Sequence, residues 1–432
     1  MPLNNLLKKL RRRSAVPTQA AHAAPTGPVT LTLTLTKRSP KSAVSKVAAA
    51  VEGAVATVSE KEAYAIGAAY VSRVRVKYHH KFDHFKANTG KTNKFDQRTV
   101  QTTDVASGTG GQEPLTDQQE LLWTGEISVG TPAQVFNMDF DTGSSDTWVN
   151  PNLYKPAASS TAKKTKKKFQ VAYGDGSQAS GDVYQETVTV GGVTATNQAF
   201  GNATKSTLTS DGNNQGLVGL AFESIAQFQA PPLFDTLVSQ GAVPSDVFSV
   251  GLWTEGARLD LGQIVAEAYT GSIVYSPVDS SQGFWSTSFE VTGATGTQTG
   301  IIDTGTTLLI GPPDVVTQIY QSLGVQTQTQ NGEVYGVYPT NSPPSISLTF
   351  NGTPFTISPD ALSFQVQGTQ TIGGLIGADI GAGPAWIVGD TFLQDVYAVF
   401  DKGNLQVGFA PKATSSVPTT SGGAAQTTDA AT

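Results

Sequence analysis

Cysteine is missing from all 432 residues, and histidine occurs only as His22, His79, His80 and His84. From residue 85 onward the chain offers neither thiol nor imidazole. A Ser-His-Asp triad, a Cys-His pair and a zinc site of thiolates or imidazoles are therefore excluded there. Carboxylates are the leading acid–base groups that remain. The lack of cysteine leaves the redox compartment open, because a chain this long can build a core without disulfides. Long apolar runs are also lacking. No stretch approaches the ~20 apolar residues of a membrane span. The first 46 residues are basic and rich in Pro and Thr, without the unbroken apolar run of a secretory signal. The tail from Thr414 is Ser/Thr/Ala/Gly-rich, reads as disordered, and lacks the hydrophobic end of a lipid-anchor signal.

Charge of each sign is scarce in one part of the chain. Residues 1–110 hold 18 Lys and Arg against 6 Asp and Glu, whereas residues 111–432 hold 10 against 28. A basic leader on an acidic body implies electrostatic docking of one on the other. Nucleic-acid binding does not suit so acidic a body, and the five lysines within Lys163–Lys168 read as a solvated loop or hairpin edge. Within the leader, the Ala/Val-rich segment 47–76 has apolar spacing near three to four and predicts a helix. The cationic stretch Arg73 to Lys81 overlaps its end. Residues 99–112, rich in Thr, Ser, Gly and Gln, read as an exposed linker open to proteolysis.

The body, about 113–412, is rich in Val, Ile, Thr, Phe, Gly and Ser, which predicts strands joined by Gly-rich turns. Two of these turns repeat. Phe136 to Phe140 leads into Asp141-Thr142-Gly143-Ser144-Ser145, and Ile301-Ile302 leads into Asp303-Thr304-Gly305-Thr306-Thr307. One such tripeptide is a weak signal. Two copies, each behind a strand-like run, imply two similar halves that each give one carboxylate to a shared site. Later apolar runs repeat as well: Gln215 to Leu220 answers Trp386 to Asp390. A duplication this long implies two homologous lobes. Gly174-Asp175-Gly176 between alternating runs predicts a hairpin, and short helices are expected at 231–240 and 314–323.

In these repeated turns and runs the chain resembles the pepsin-like aspartic endopeptidases, especially fungal, polyporopepsin-like members, in zymogen form. The resemblance rests on Trp123-Thr124-Gly125, Asp139-Phe140-Asp141-Thr142-Gly143-Ser144-Ser145-Asp146 with Trp148, and Tyr173-Gly174-Asp175-Gly176-Ser177. It continues through Asp303 to Thr307 and Ile387-Val388-Gly389-Asp390 to Val407-Gly408-Phe409-Ala410. It implies an all-β, bilobal fold of two β-barrel-like lobes with the cleft between them, preceded by a partly helical propeptide. The expected divisions are 1–110 leader, 111–264 N-terminal lobe, 265–412 C-terminal lobe and 413–432 tail.

The resemblance also assigns roles. Asp141 and Asp303 are the catalytic pair, supported by Thr142, Gly143, Ser144, Thr304, Gly305 and Thr306. Tyr173, Gly174, Asp175 and Ser177 form a flap over the substrate, with Trp148 packing beneath Tyr173. Asp175 implies acceptance of Lys as well as large apolar side chains before the cut. Lys77 and Tyr78 resemble the propeptide pair that blocks the site, with Lys81 as a rival lysine, and self-processing is expected within 95–113. Gln215 stands where the family usually has Asp, at a structural position. Asn202 and Asn351 head glycosylation sequons. No metal or organic cofactor is implied. The expected partners are peptide and protein substrates, the chain's own propeptide and pepstatin-type inhibitors, on a monomer that binds neither nucleic acid nor membrane. The expected location is extracellular, with the vacuole as the alternative. Two other readings account for less. A binding or inhibitor protein on this fold typically loses one Asp or the flap tyrosine, and all three are present. A two-carboxylate glycosidase explains neither the repeated Thr-Gly turns nor the flap.

Overall fold

The structure is a computed structural model and describes residues 32–34, 36–37, 60–97, 123–172, 178–206, 214–253, 256–383 and 385–413. Among these residues strands dominate, in sheets of eight, ten and six.

The eight-stranded sheet carries the first turn. Trp123–Val129 pairs antiparallel with Gln134–Asp141, and the latter runs parallel to Gly216–Gly219 in the register Asp141↔Gly219. Thr147–Val149 lies antiparallel to Gly216–Gly219 on its other side. Apolar Phe136, Met138 and Phe140 alternate inward from the second of these strands, as a half-buried sheet requires. The ten-stranded sheet repeats this plan. Gln298–Ile302 runs parallel to Ala385–Val388, which lies antiparallel to Leu309–Gly311. The answering runs of the sequence are thus equivalent strands, each laid alongside the strand that ends in an Asp turn.

The six-stranded sheet takes strands from both halves. Val247–Gly251 pairs directly with Val396–Asp401, and Phe248 stacks on Phe400 with ring centroids 4.8 Å apart. The expected division at 264/265 falls within the chain segments that build this common sheet. The fully buried Trp285 packs on Phe248 and Phe400 and donates from its indole N–H to the Leu220 carbonyl, 3.0 Å away.

The helices expected in the body are observed as Leu233–Ser239 and Pro313–Ser322. The lysine-rich run is an edge strand, Lys163–Ala172, where charge is the usual protection against further strand pairing. The leader helix requires a correction. Within the described residues it spans Glu60–Thr89, well past the expected end at 76. The apolar period does not stop there; it passes from aliphatic to aromatic residues. Val71, Val74, Tyr78, Phe82 and Phe85 form one buried face, and each such side chain contributes about 1.5–3 kcal/mol on full burial. Tyr78, Phe82 and Phe95 gather around Phe284 of the body.

Candidate active site

Asp141 and Asp303 each stand where a strand enters a glycine turn, and the turn's own groups hold them. Gly143 N–H donates to Asp141 Oδ1 at 2.8 Å, and the Ser144 hydroxyl donates to Oδ2 at 2.5 Å. In the second copy, Gly305 N–H donates to Asp303 Oδ1 at 3.0 Å, and the Thr306 hydroxyl donates to Oδ2 at 2.6 Å. The threonines lock the copies together reciprocally. The Thr142 hydroxyl donates to the Ile302 carbonyl and accepts from Thr304 N–H, at 2.8 and 3.0 Å. The Thr304 hydroxyl donates to the Phe140 carbonyl and accepts from Thr142 N–H, at 2.6 and 3.0 Å.

The glycines are required by close approach. A Cβ on Gly143 would lie 2.6 Å from Asp303 Oδ1, and one on Gly305 2.4 Å from Asp141 Oδ1. Each turn therefore packs against the opposite carboxylate, and glycine alone leaves room for it.

The leader helix enters this site. Lys77 Nζ lies 2.8 Å from Asp141 Oδ1, and 3.0 and 2.9 Å from the two oxygens of Asp303. The buried Tyr78 hydroxyl donates to Asp303 Oδ2 at 2.9 Å. Burial pushes the Lys77 ammonium down, but the two carboxylates outweigh it and hold it above the ordinary lysine value. Burial raises both carboxyls as well; Lys77 overcomes this at Asp141, which ends below its ordinary range. Asp303 ends above it, because burial and the charge of Asp141 exceed the pull of Lys77. The surroundings thus drive the pair apart in acidity.

Lys81, the rival lysine, lies one turn further along the helix and reaches Asp146, with Nζ 3.8 Å from Oδ2. Composition alone could not separate the two lysines, because both stand in one basic run. Other leader contacts were not legible individually. Arg75 donates twice to the Asp379 carbonyl, Asn88 donates to the carbonyls of Ser224 and Ala226, and Lys94 pairs with Asp279. The opposed charges of leader and body were the only signal of such contacts.

Trp148 is buried against Phe169, with centroids 6.0 Å apart. Tyr173, Gly174, Asp175 and Ser177 lie outside the described residues, as does most of the expected processing region. Gln215 bridges to the strand before Asp141: its side-chain carbonyl accepts from Asn137 N–H, and its own N–H donates to the Asn137 carbonyl, both at 2.8 Å.

Comparison with known proteins decides the family. The model for eukaryotic aspartyl proteases matches residues 122–412. The chain belongs to the eukaryotic aspartyl protease family. Among its relatives, an aspartic protease of Phaffia rhodozyma is 38% identical over 325 residues, covering 69% of this chain and 79% of that protein. Secreted aspartyl protease 1 of Malassezia globosa is 34% identical over 340 residues, 78% of this chain and 85% of the relative. Pepsin A of Sus scrofa is 36% identical over 332 residues, 70% and 84%. This aspartyl protease is accordingly a peptide-bond hydrolase of the pepsin-like, all-β, bilobal class, and the helix preceding its catalytic region fits a propeptide.

Proposed function

We propose that this aspartyl protease cleaves peptide bonds in acid by activating a water between Asp141 and Asp303, and that it is made as a precursor which processes itself. The observation that carries the reading is the single ammonium of Lys77 within 3.0 Å of both carboxylates, a position from which one small nucleophile contacts both. Two buried carboxylates so placed share one proton over a wide pH range. The ionised member takes a proton from water as it attacks the scissile carbonyl. The protonated member donates to the carbonyl oxygen, giving a neutral gem-diol. A proton then passes to the leaving nitrogen as the C–N bond breaks. The glycine and hydroxyl donors of the two turns hold the carboxylates in place throughout. Cleavage of a peptide at pH 3–5, blocked by pepstatin, tests this reading; no cleavage under these conditions contradicts it.

For specificity, we assign large apolar residues and Lys to the N-terminal side of the cut, with Asp175 as a determinant of the Lys preference. Asp175→Thr is expected to lower the rate after Lys about tenfold relative to the rate after Leu, as loss of a charge partner does. An unchanged ratio in peptide kinetics counts against the assignment.

Latency is set by pH through groups on both sides of the leader contact. Burial, with Lys81 and His80 beside it, pushes the His84 imidazole down to about 3. A base whose docked value is depressed favours docking above its free value, near 6.5, and that contribution is lost as pH falls from there toward 3. Asp141 is held low by the docked Lys77, so it favours docking while ionised and loses that contribution in acid. Release is therefore expected to begin below about pH 6.5. In the His84→Leu precursor the onset should move to lower pH in a gel assay of processing; an onset that stays put excludes His84 as a trigger.

Secretion fits the fungal relative named as a secreted protease; finding the mature N-terminus in culture fluid would support it over a vacuolar site. The two sequons differ in setting. Asn351 is exposed at the tip of the hairpin joining Ser347–Phe350 to Thr353–Thr356. Asn202 lies in an interior strand, paired with Val149 on one side and Asp182 on the other. In a secreting eukaryotic host, Asn351→Gln should remove one glycan by mass and Asn202→Gln none.

A further inference from the structure

We propose that Asp146 is the charged end of a cleft subsite that receives a cationic substrate side chain, and that Lys81 of the leader occupies this subsite in the precursor. The proposal rests on the reading of Asp141 and Asp303 as the catalytic pair.

The leader helix meets the pair at Lys77. One helical turn, about 5.4 Å, separates this contact from the next residue on the same face, and that residue is Lys81. Lys81 is only 7% exposed, which lysine rarely tolerates without a partner. Its Nζ lies 3.8 Å from Asp146 Oδ2, and the Asp146 side chain is 4% exposed. Lys77 and Lys81 share one cavity with the body, lined there by Asp141, Ser144, Asp146, Trp148, Val171 and Leu217. Asp146 therefore faces the same space as Asp141. Trp148, Val171 and Leu217 offer apolar surface to a lysine's methylenes, and Asp146 offers a carboxylate to its ammonium.

Asp146 also has a positioning contact. Its Oδ2 accepts from Gln227 N–H at 2.8 Å and its Oδ1 from Phe228 N–H at 2.9 Å. A carboxylate has about four acceptor sites, so these two bonds orient it and leave capacity for a cation. Such bonds alone give no account of a buried lysine directed at the same group. Once the leader departs, the subsite is open to a substrate lysine on the same terms. The titratable groups around the cavity are Lys77, His80, Lys81 and His84 from the leader and Asp141 from the body. Burial holds the Asp146 carboxyl above the ordinary range, so selectivity for a cation should rise with pH across the acidic range.

The test uses the acid-activated enzyme and a peptide series that differs only in carrying lysine or norleucine at successive positions around the cut. At one position, Asp146→Asn is expected to lower the ratio of kcat/KM for the lysine peptide to that for the norleucine peptide about tenfold or more. A lysine-to-norleucine ratio that Asp146→Asn leaves unchanged at every position overturns the proposal. The second measurement keeps Asp146 intact and serves equally if that variant does not fold. In the Asp175→Thr enzyme, the same ratio should rise between pH 3 and pH 6, and a flat ratio overturns the proposal. If neither peptide type is cleaved by the wild-type enzyme, the underlying catalytic reading fails first; cleavage of norleucine peptides with unaltered ratios removes this subsite alone.

Discussion

Replacing both Asp141 and Asp303 with alanine is expected to abolish peptide cleavage and to leave the precursor uncut at pH 4, where the wild type is expected to process itself. The expected loss is on the order of 10⁴-fold or more, the scale seen when a group that acts only as part of a catalytic unit is removed. On the proposed mechanism neither carboxylate acts alone. The Thr142 and Thr304 hydroxyls bond across to the opposite turn, and each turn glycine packs on the opposite carboxyl. The single variant Asp303→Asn should therefore be almost as inactive as the double variant. It keeps the shape and an acceptor for Thr306 but cannot ionise or carry the proton. Matching far-UV circular dichroism would show that the fold survives. Self-cleavage by the double variant would contradict the assignment, because no imidazole or thiol exists in the body to take over.

The second large effect is expected at Lys77. Its side chain is 12% exposed and bonded to both carboxylates. Removing one partner of a buried charge cluster costs about 3–5 kcal/mol, because the remaining charges stay desolvated. In Lys77→Met this loss falls on the docked leader. At pH 6.5, pepstatin should then bind the precursor about 100-fold more tightly than it binds wild-type precursor, since each 1.4 kcal/mol is tenfold. Calorimetric titration of the two precursors measures this. Lys81→Met should have a smaller effect, because its ion pair is longer, 3.8 Å, and holds no part of the central pair. Equal affinities for wild-type and Lys77→Met precursors would assign latency to other leader contacts.

The body of this fold was legible because its signals are local and repeated. Asp-Thr-Gly after an apolar strand occurs twice, and so does the strand laid beside it; duplication turns two weak motifs into one strong statement. The helices at 233–239 and 313–322 follow from apolar spacing within short segments. The leader was less legible. Its helix continues through Tyr78, Phe82 and Phe85, where Lys and His between the aromatics mask the apolar period. Those lysines are buried because carboxylates far along the chain await them, and local pattern does not carry that information. The same holds for the six-stranded sheet, whose strands come from distant parts of the sequence. Asp146 was visible as part of a motif, but its place at the cavity beside Lys81 depends on the helix register over the cleft.

A crystal structure of the acid-processed enzyme with pepstatin would test the central claim most directly. The inhibitor's central hydroxyl is predicted to take the place of the Lys77 ammonium, within about 3 Å of a carboxylate oxygen of both Asp141 and Asp303, as a hydrogen-bond length requires. A hydroxyl bound to only one of them, or an inhibitor seated elsewhere with the two carboxyls apart, would contradict it.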